Sequence, residues 1–285
     1  MDQRIINLYD EYTHKPLSRE EFLKRLSALT GSMTAALALL PSIEVNQAIA
    51  GTIAQDDSRL RTERITYEGD GTTMKGYLAM PAEGKKFPAV MVVHENRGLN
   101  AHIEDVTRRI ALAGFIGFAP DALSPFGGAP EDADKAREMF TKLDAVKNLN
   151  NFLKGFEYLK ERKECNKKFG AIGFCWGGAL VNQLAVHFPD LKAAVPFYGR
   201  QPEVADVVKI KASLMIHYAE NDERINAGIA GYEASLKKEG KDFVQYLYPG
   251  TQHAFHNDTA PTRYNETSAK LAWMRSMEFF KEKLK

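Results

Sequence analysis

The sequence is poor in cysteine and carries no metal-binding cysteine motif. Its 285 residues include only two cysteines, Cys165 and Cys175, ten positions apart. Part of that span is predicted to be a strand, which rises about 3.3 Å per residue, whereas a disulfide requires α-carbons within roughly 7 Å of each other. We therefore expect two thiols rather than a disulfide, as is typical of a reducing compartment. No C-x-x-C pair or Cys/His cluster is present, so we expect no metal site.

The sequence also lacks a charge bias and a long apolar run. Lysine and arginine total 38 against 37 aspartate and glutamate residues, which leaves a net charge of +1. This balance gives no indication of a nucleic-acid partner. The apolar stretch near the N-terminus is interrupted by Thr30, Gly31, Ser32 and Thr34, so it is too short and too mixed for a membrane span. We therefore expect neither nucleic acid nor a membrane among the partners.

The first 56 residues predict a helical arm. Ser18 and Glu21 form a capping-box pattern, with Ser18 as the N-cap. Apolar residues then recur at helical spacing from Phe22 to Leu40, and Pro41 is predicted to end the helix.

The same segment also resembles an export signal. Residues 18–24 read S-R-E-E-F-L-K, which matches a twin-arginine pattern except that Glu20 replaces the second arginine. Ala48, Ile49 and Ala50 resemble a cleavage site. Because the second arginine is missing, we favour a retained arm and a cytoplasmic protein, with periplasmic export as the alternative.

The remainder of the chain, residues 57–285, predicts one α/β catalytic domain. Short apolar strands alternate with helical segments, and we find no internal repeat or linker. The predicted strands are 65–67, 73–80, 88–94, 115–119, 169–174, 193–197, 212–217 and 243–248. This order predicts a mostly parallel sheet with helices on both faces. In such sheets, reactive groups gather at the carboxyl ends of the strands.

One strand end carries a candidate nucleophile. Residues 173–177 read G-F-C-W-G, with Cys175 between a predicted strand and a predicted helix. The serine form of this pattern marks a sharp strand–turn–helix that presents a nucleophile, but no G-x-S-x-G is present here. The N-terminus of the following helix favours a thiolate. The alternative is a buried structural cysteine.

Two later strand ends supply a base and an acid. His253 follows the last strand, and Asp222 follows the preceding one, ahead of Glu223 and two residues after Glu220. The order Cys175, Asp222, His253, with spacings of 47 and 31 residues, matches the nucleophile–acid–histidine order of the α/β-hydrolases. Read singly, Asp222 could be a helix N-cap and His253 an ordinary loop residue.

The fourth strand end, H-E-N-R-G, follows the strand at 88–94. In this fold that loop supplies a donor to the oxyanion hole, so we expect the donors to be the backbone N–H groups of Trp176 and Asn96. Glu95 would project toward the site as a partly buried carboxylate. Its alternative role is a solvated charge.

Together these motifs resemble the dienelactone hydrolase family of α/β-hydrolases over residues 62–284. The motifs are H-E-N-R-G, A-P-D at 119–121, G-F-C-W-G-G, P-F-Y-G at 196–199, E-N-D at 220–222 and Y-P-G-T-Q-H-A-F at 248–255. The resemblance implies that Cys175 is the nucleophile, His253 the base and Asp222 its orienting acid. It also implies that Glu95 activates the thiol and that Tyr198 and Trp176 line the pocket.

The sequence departs from the family at two arginines that hold the dienelactone carboxylate. One would fall near Phe126 and the other at Asn257. Arg97 and Arg200 are candidates to replace them. The predicted substrate contacts are therefore Tyr198, Arg97, Arg200, Phe126 and Asn257.

We predict a hydrolase of small esters or lactones that needs no cofactor and is a monomer or homodimer. A non-catalytic binding protein on the same scaffold is one alternative. A redox-sensing thiol protein is another, although Cys165 is poorly placed as a resolving thiol.

Overall fold

The protein is built on an eight-stranded sheet. The computed structural model describes residues 2–15, 17–43 and 53–285. The strand order across the sheet is β1-β2-β4-β3-β5-β6-β7-β8. The strands are β1 (Leu60–Glu68), β2 (Thr73–Pro81), β3 (Phe87–Val93), β4 (Ile116–Pro120), β5 (Cys165–Phe174), β6 (Leu191–Phe197), β7 (Ser213–Asn221) and β8 (Phe243–Gln252).

Six of the strands run parallel to one another. β1 and β2 form an antiparallel hairpin, and β2 pairs antiparallel with β4. Every pairing from β4 through β3 and β5 to β8 is parallel. The predicted mixed, mostly parallel sheet is confirmed.

Helices cover both faces of this sheet. The described helices are α1 (Gln3–His14), α2 (Arg19–Thr30), α3 (Met33–Ile43), α4 (Ala101–Leu112), α5 (Ala133–Phe140), α6 (Ala145–Glu161), α7 (Trp176–His187), α8 (Glu223–Asn226), α9 (Ile229–Lys238) and α10 (Glu266–Lys283). Short 3₁₀ turns occupy Ser124–Phe126 and Val204–Lys209.

Alternate residues of the central strands face opposite hydrophobic cores. Met91 and Val93 of β3 pack in the core that contains α6, α7 and α9. Val90 and Val92 pack in the core that contains α4 and α10. Because successive strand side chains point to opposite faces, a strand covered by helices on both sides must be apolar throughout. This explains the uninterrupted apolar run that ends at residue 93.

The N-terminal arm is three helices rather than one. Glu21 N donates to Ser18 Oγ at 3.1 Å, which confirms the capping box. α2 is capped by Gly31, which has a φ of 84°. Glycine adopts this left-handed conformation readily. Pro41 lies inside α3, so the prediction that it ends the helix is wrong. It lies in the last turn of α3, where it removes the backbone hydrogen bond that an N–H would donate.

The arm has a hydrophobic core of its own. Tyr12, Phe22 and Leu26 are buried in a cluster that joins α1, α2 and α3. The twin-arginine-like residues 18–24 lie at the start of α2, within this folded unit, whereas the possible cleavage site at residues 48–50 lies outside the described residues. None of the described helices is both long enough and apolar enough to cross a membrane.

Candidate active site

Cys175 lies on a strained turn between β5 and α7. Its φ of 56° and ψ of −114° are unfavourable for a residue with a Cβ atom. Its backbone N–H donates to the carbonyl of Phe197 at 3.0 Å, and its own carbonyl accepts from Ala179 N at 3.1 Å. Only 6% of Cys175 is exposed. The turn therefore holds the thiol at the carboxyl edge of the sheet, just ahead of the α7 N-terminus.

The glycines around Cys175 allow neighbouring backbones to approach closely. A Cβ atom on Gly173 would lie 2.3 Å from the carbonyl oxygen of Gly177. One on Gly177 would lie 2.3 Å from that of Val93, and one on Gly178 would lie 2.5 Å from that of Phe197. These contacts are too short for any side chain. They explain why small residues flank the turn on both sides.

His253 and Asp222 form a buried pair. The Nδ1 atom of His253 lies 2.5 Å from Oδ2 of Asp222. The other carboxylate oxygen, Oδ1, accepts from Ile225 N at 3.4 Å and so caps the short helix α8. Asp222 therefore contacts His253 and also caps α8. With its oxygens committed in this way, the carboxylate holds one orientation of the imidazole.

The surroundings favour a charged His253. Burial opposes the imidazolium, but the negative charges of Asp222 and Cys175, with a contribution from Asp10, outweigh burial and raise the pKa of His253 well above its ordinary value. Cys175 and His253 both line a small cavity of about 20 Å³. A buried imidazolium next to a thiol favours the thiolate.

Glu95 follows β3 and faces the same small cavity. Its Oε2 accepts from Nδ2 of Asn257 at 2.6 Å. Its Oε1 is buried and has no hydrogen-bond partner within the described part of the chain. One carboxylate oxygen is thus anchored, and the other is available to a proton donor in the cavity.

His94 orders the loop beside Cys175. Its Nδ1 lies 2.6 Å from the carbonyl of Glu95, and its Nε2 accepts from Ala122 N at 3.0 Å. Burial lowers its pKa, so the ring stays neutral. The ring stacks on Trp176, with centroids 5.3 Å apart and an interplanar angle of 9°. The two residues predicted to donate to an oxyanion, Trp176 and Asn96, are therefore held on elements that flank Cys175.

A larger cavity of about 520 Å³ opens beside the thiol. Its lining includes Cys175, Trp176, Asn96, Tyr198 and Arg200. Tyr198 is fully buried, with a φ of 38°, and its hydroxyl has no hydrogen-bond partner in the described residues. Burial and the nearby carboxylate of Glu95 raise the pKa of Tyr198 well above its ordinary value, so its hydroxyl remains a donor.

The other predicted substrate contacts are placed differently. Arg97 is 7% exposed, lines the small cavity and donates to Oδ1 of Asn96 at 3.2 Å. Asn257 is buried and binds Glu95; its Oδ1 also accepts from Thr259 N at 2.9 Å. It is not among the residues that line either cavity containing Cys175. Phe126 lines a separate cavity of about 200 Å³.

Sequence reasoning missed several residues that line the cavities. Thr13, Lys15 and Leu17 come from the N-terminal arm, and Arg137 and Phe140 come from α5. Arg263 and Ala254 line the small cavity. Apart from Ala254, which lies in the Y-P-G-T-Q-H-A-F motif, none of them belongs to a strand-end motif, and so no sequence signal marked them. Among the described residues, no group of three or more His, Cys, Asp or Glu side chains could hold a metal ion.

The sheet, the strained turn after β5 and the strand-end loops define an enzyme of the α/β-hydrolase fold. The model of the Dienelactone hydrolase family matches residues 74–284. The chain belongs to this family, and it is accordingly a hydrolase of the carboxylic ester and lactone class.

Relatives of similar length support this placement. Protein usf of Aquifex pyrophilus is 36% identical over 236 residues, which cover 78% of this chain and 99% of that protein. A Saccharolobus solfataricus protein named "Putative carboxymethylenebutenolidase" is 32% identical over 257 residues, which cover 77% of this chain and 98% of that protein.

Solved structures share the fold. A dienelactone hydrolase-like promiscuous phosphotriesterase from metagenomic libraries superposes with a TM-score of 0.73 at 22% identity, covering 80% of this chain and all of that one. A structure from work on two Rhizomucor miehei esterases has a TM-score of 0.66 at 13% identity, covering 100% and 98% of the two chains. At these identities the likeness concerns the fold alone.

Proposed function

We propose that the protein hydrolyses small esters or lactones through a covalent thioester on Cys175, with His253 as acid and base and Asp222 as the residue that orients it. The observation that carries this proposal is the buried His253–Asp222 pair, 2.5 Å between Nδ1 and Oδ2, beside a cysteine on a strained turn. A packing cysteine needs neither a strained backbone nor a charged imidazole next to it.

In the first half-reaction, Sγ of Cys175 attacks the carbonyl carbon, and a C–S bond forms. The negative charge on the carbonyl oxygen is stabilised by the backbone N–H groups of Trp176 and Asn96. The imidazolium of His253 then gives its proton to the leaving oxygen as the C–O bond breaks. An ester releases its alcohol, whereas an opened lactone keeps the new hydroxyl on its acyl group. In both cases the thioester remains.

In the second half-reaction, water hydrolyses the thioester. Neutral His253 takes a proton from the water as its oxygen attacks the thioester carbonyl. The C–S bond breaks, the acid leaves, and the thiolate of Cys175 is restored next to imidazolium. Asp222 keeps the ring in one orientation and stabilises its charge in both halves.

Glu95 and Tyr198 have supporting roles in this proposal. The buried Oε1 of Glu95 faces the cavity that contains Cys175, so it can accept the thiol proton when the thiol is not paired with His253. The unpartnered hydroxyl of Tyr198 lines the larger cavity and can donate to an oxygen of the substrate.

The test is a substrate panel on matched cysteine variants. We expect Cys175→Ala to abolish the turnover of p-nitrophenyl acetate, a simple lactone and a thioester, because the proposed acyl-enzyme forms on the thiol of Cys175. Cys165→Ala is the control, since Cys165 is also buried but lies at the start of β5, at the opposite end of that strand. Wild-type rates in Cys175→Ala would refute the proposal. Peroxide consumption in the same samples would identify a thiol redox protein instead.

A further inference from the structure

The N-terminal arm lies outside the region that matches the family, yet it lines the active-site cavity. The family model covers residues 74–284. Thr13, Lys15 and Leu17 nevertheless line the larger cavity with Cys175, and Thr13 also lines the smaller one. The wall opposite the strand-end loops is therefore built from residues that the family pattern does not include.

One set of contacts fixes the end of α1 over the site. The carbonyl of Thr13 accepts from Nδ2 of Asn96 at 2.7 Å, which joins the arm to the loop that carries a proposed oxyanion donor. The ring of Tyr12 stacks on Phe22 of α2 at 4.3 Å between centroids. The guanidinium of Arg137 lies 3.8 Å from the centre of the Tyr12 ring, and the Tyr12 hydroxyl donates to Asp134 at 2.6 Å.

A second set of contacts ties α1 to the loops on the other side of the cavity. Arg263, which lines the small cavity, lies over the ring of Tyr9 at 5.1 Å. The side-chain amides of Gln3 and Gln252 exchange hydrogen bonds of 2.8 and 2.9 Å. α1 thus bridges the loop that follows β3 to the end of β8 and the loop after it, through aromatic and hydrogen-bonded contacts.

We propose that α1, α2 and α3 form a resident cap of the active site, and that Leu17 and Lys15 of this cap select substrates by the size and charge of the group remote from the scissile carbonyl. Leu17 packs against the core of the arm and exposes its other side to the cavity. A residue so placed limits the width of the pocket. This inference rests on the proposed function for its consequence in hydrolysis.

The charge of the cap contributes a preference as well. Of the four cationic side chains that line the larger cavity, Arg137 is engaged with Tyr12 and Asp134, and Arg224 lies 4.0 Å from Asp10. Lys15 and Arg200 are exposed, and in the part of the chain that the structure covers neither forms an ion pair. Glu138 also lines this cavity, and it pairs with Lys142 at 2.7 Å. Four cationic side chains and one carboxylate give the lining a net positive charge, which favours a remote group that carries negative charge.

The cap also bears on the twin-arginine-like segment. Cleavage after residue 50 would remove Thr13, Lys15 and Leu17 and open the cavity on that side. On this proposal the active protein retains its first 43 residues.

The test measures how fast Cys175 is alkylated in the full-length protein, with modification at Cys175 followed by mass spectrometry. Iodoacetate and iodoacetamide have similar size and differ in charge. We expect Lys15→Glu to lower the ratio of the iodoacetate rate to the iodoacetamide rate by about tenfold, because the change reverses one charge near the path to the thiol. Lys24→Glu is the matched control, since Lys24 is exposed on α2 and does not line the cavity. Equal ratios in both variants would overturn the charge preference.

The size preference is tested in the same way. Leu17→Ala should raise the rate of a bulky neutral maleimide relative to iodoacetamide by about tenfold, the scale of a few methylenes in a pocket. Leu23→Ala is its control, because Leu23 packs against the same arm core and is not part of the cavity lining. A ratio unchanged in Leu17→Ala, or changed equally in Leu23→Ala, would overturn the role of the cap.

Ester selectivity then gives a second measurement. The same variants should shift the ratio of kcat/KM for bulky or anionic esters to kcat/KM for acetate esters. The alkylation ratios do not require turnover. An inactive wild type, or an active Cys175→Ala, would therefore overturn the proposed function while the cap is still judged by alkylation.

Discussion

Asp222→Asn separates the two roles that the structure combines in one side chain. Asparagine is as good an N-cap as aspartate, so the contact to Ile225 N and the start of α8 should survive. The charge beside His253 is lost. Two unit charges about 4 Å apart attract by about 4 kcal/mol at an effective dielectric constant of about 20. Loss of that attraction should lower kcat/KM by about 10³-fold for ester hydrolysis, with little change in the thermal midpoint.

The pH dependence of Cys175 alkylation shows in which direction the loss of Asp222 shifts the protonation of the thiol. Asp222 helps raise the pKa of His253, so its removal weakens the imidazolium that stabilises the thiolate. In Asp222→Asn, rapid alkylation of Cys175 by iodoacetamide should therefore begin at a higher pH than in the wild type. Asp132→Asn is the matched control, because Asp132 is an exposed N-cap of α5 that accepts from Lys135 N at 2.8 Å. The reasoning fails if Asp222→Asn has wild-type activity and an unshifted profile, or if Asp132→Asn loses activity equally.

Two further predictions concern stability. Gly177→Ala should destabilise the protein by about 3 kcal/mol in urea titrations, because the new Cβ would meet two backbone carbonyls within 2.5 Å. Gly231→Ala, where nothing lies within 4 Å, should not destabilise it. Equal urea midpoints for the two variants would contradict the close packing at Gly177. Burial lowers the pKa of His256 from 6.5 to about 3, so only the unfolded state binds this proton between those pH values, and stability falls as the pH falls. His256→Phe should reduce the slope of unfolding free energy against pH by about 1.4 kcal/mol per pH unit in this range. An unchanged slope would show that protonation of His256 does not cause the loss of stability.

The chemistry at the strand ends could be predicted because it depends on the order of short segments. Cys175, Asp222 and His253 each follow a parallel strand, and the carboxyl ends of neighbouring parallel strands meet at one edge. The local pattern places each group after its strand, and the parallel sheet brings the strand ends together. Helix boundaries in the arm were less predictable, since Gly31 divides it and Pro41 is tolerated in a last turn.

Asn257 illustrates what sequence could not decide. The family resemblance implies an arginine at this position, and the sequence predicts that Asn257 contacts substrate. In the fold its amide donates to Glu95, 162 residues away in the chain. Whether a side chain faces a cavity or another side chain depends on packing between distant segments, and neither periodicity nor a local motif reports that packing.

By itself, the sequence determined the α/β order, the turn that presents Cys175 and the loops that bring Asp222, His253 and Glu95 to one edge. These features follow from local spacing and from the geometry of parallel strands. Only the tertiary structure decided that Thr13, Lys15 and Leu17 of the arm form a wall of the cavity. That wall arises because α1 makes aromatic, hydrogen-bonded and charged contacts with loops and with helix α5, which lie far away in the chain.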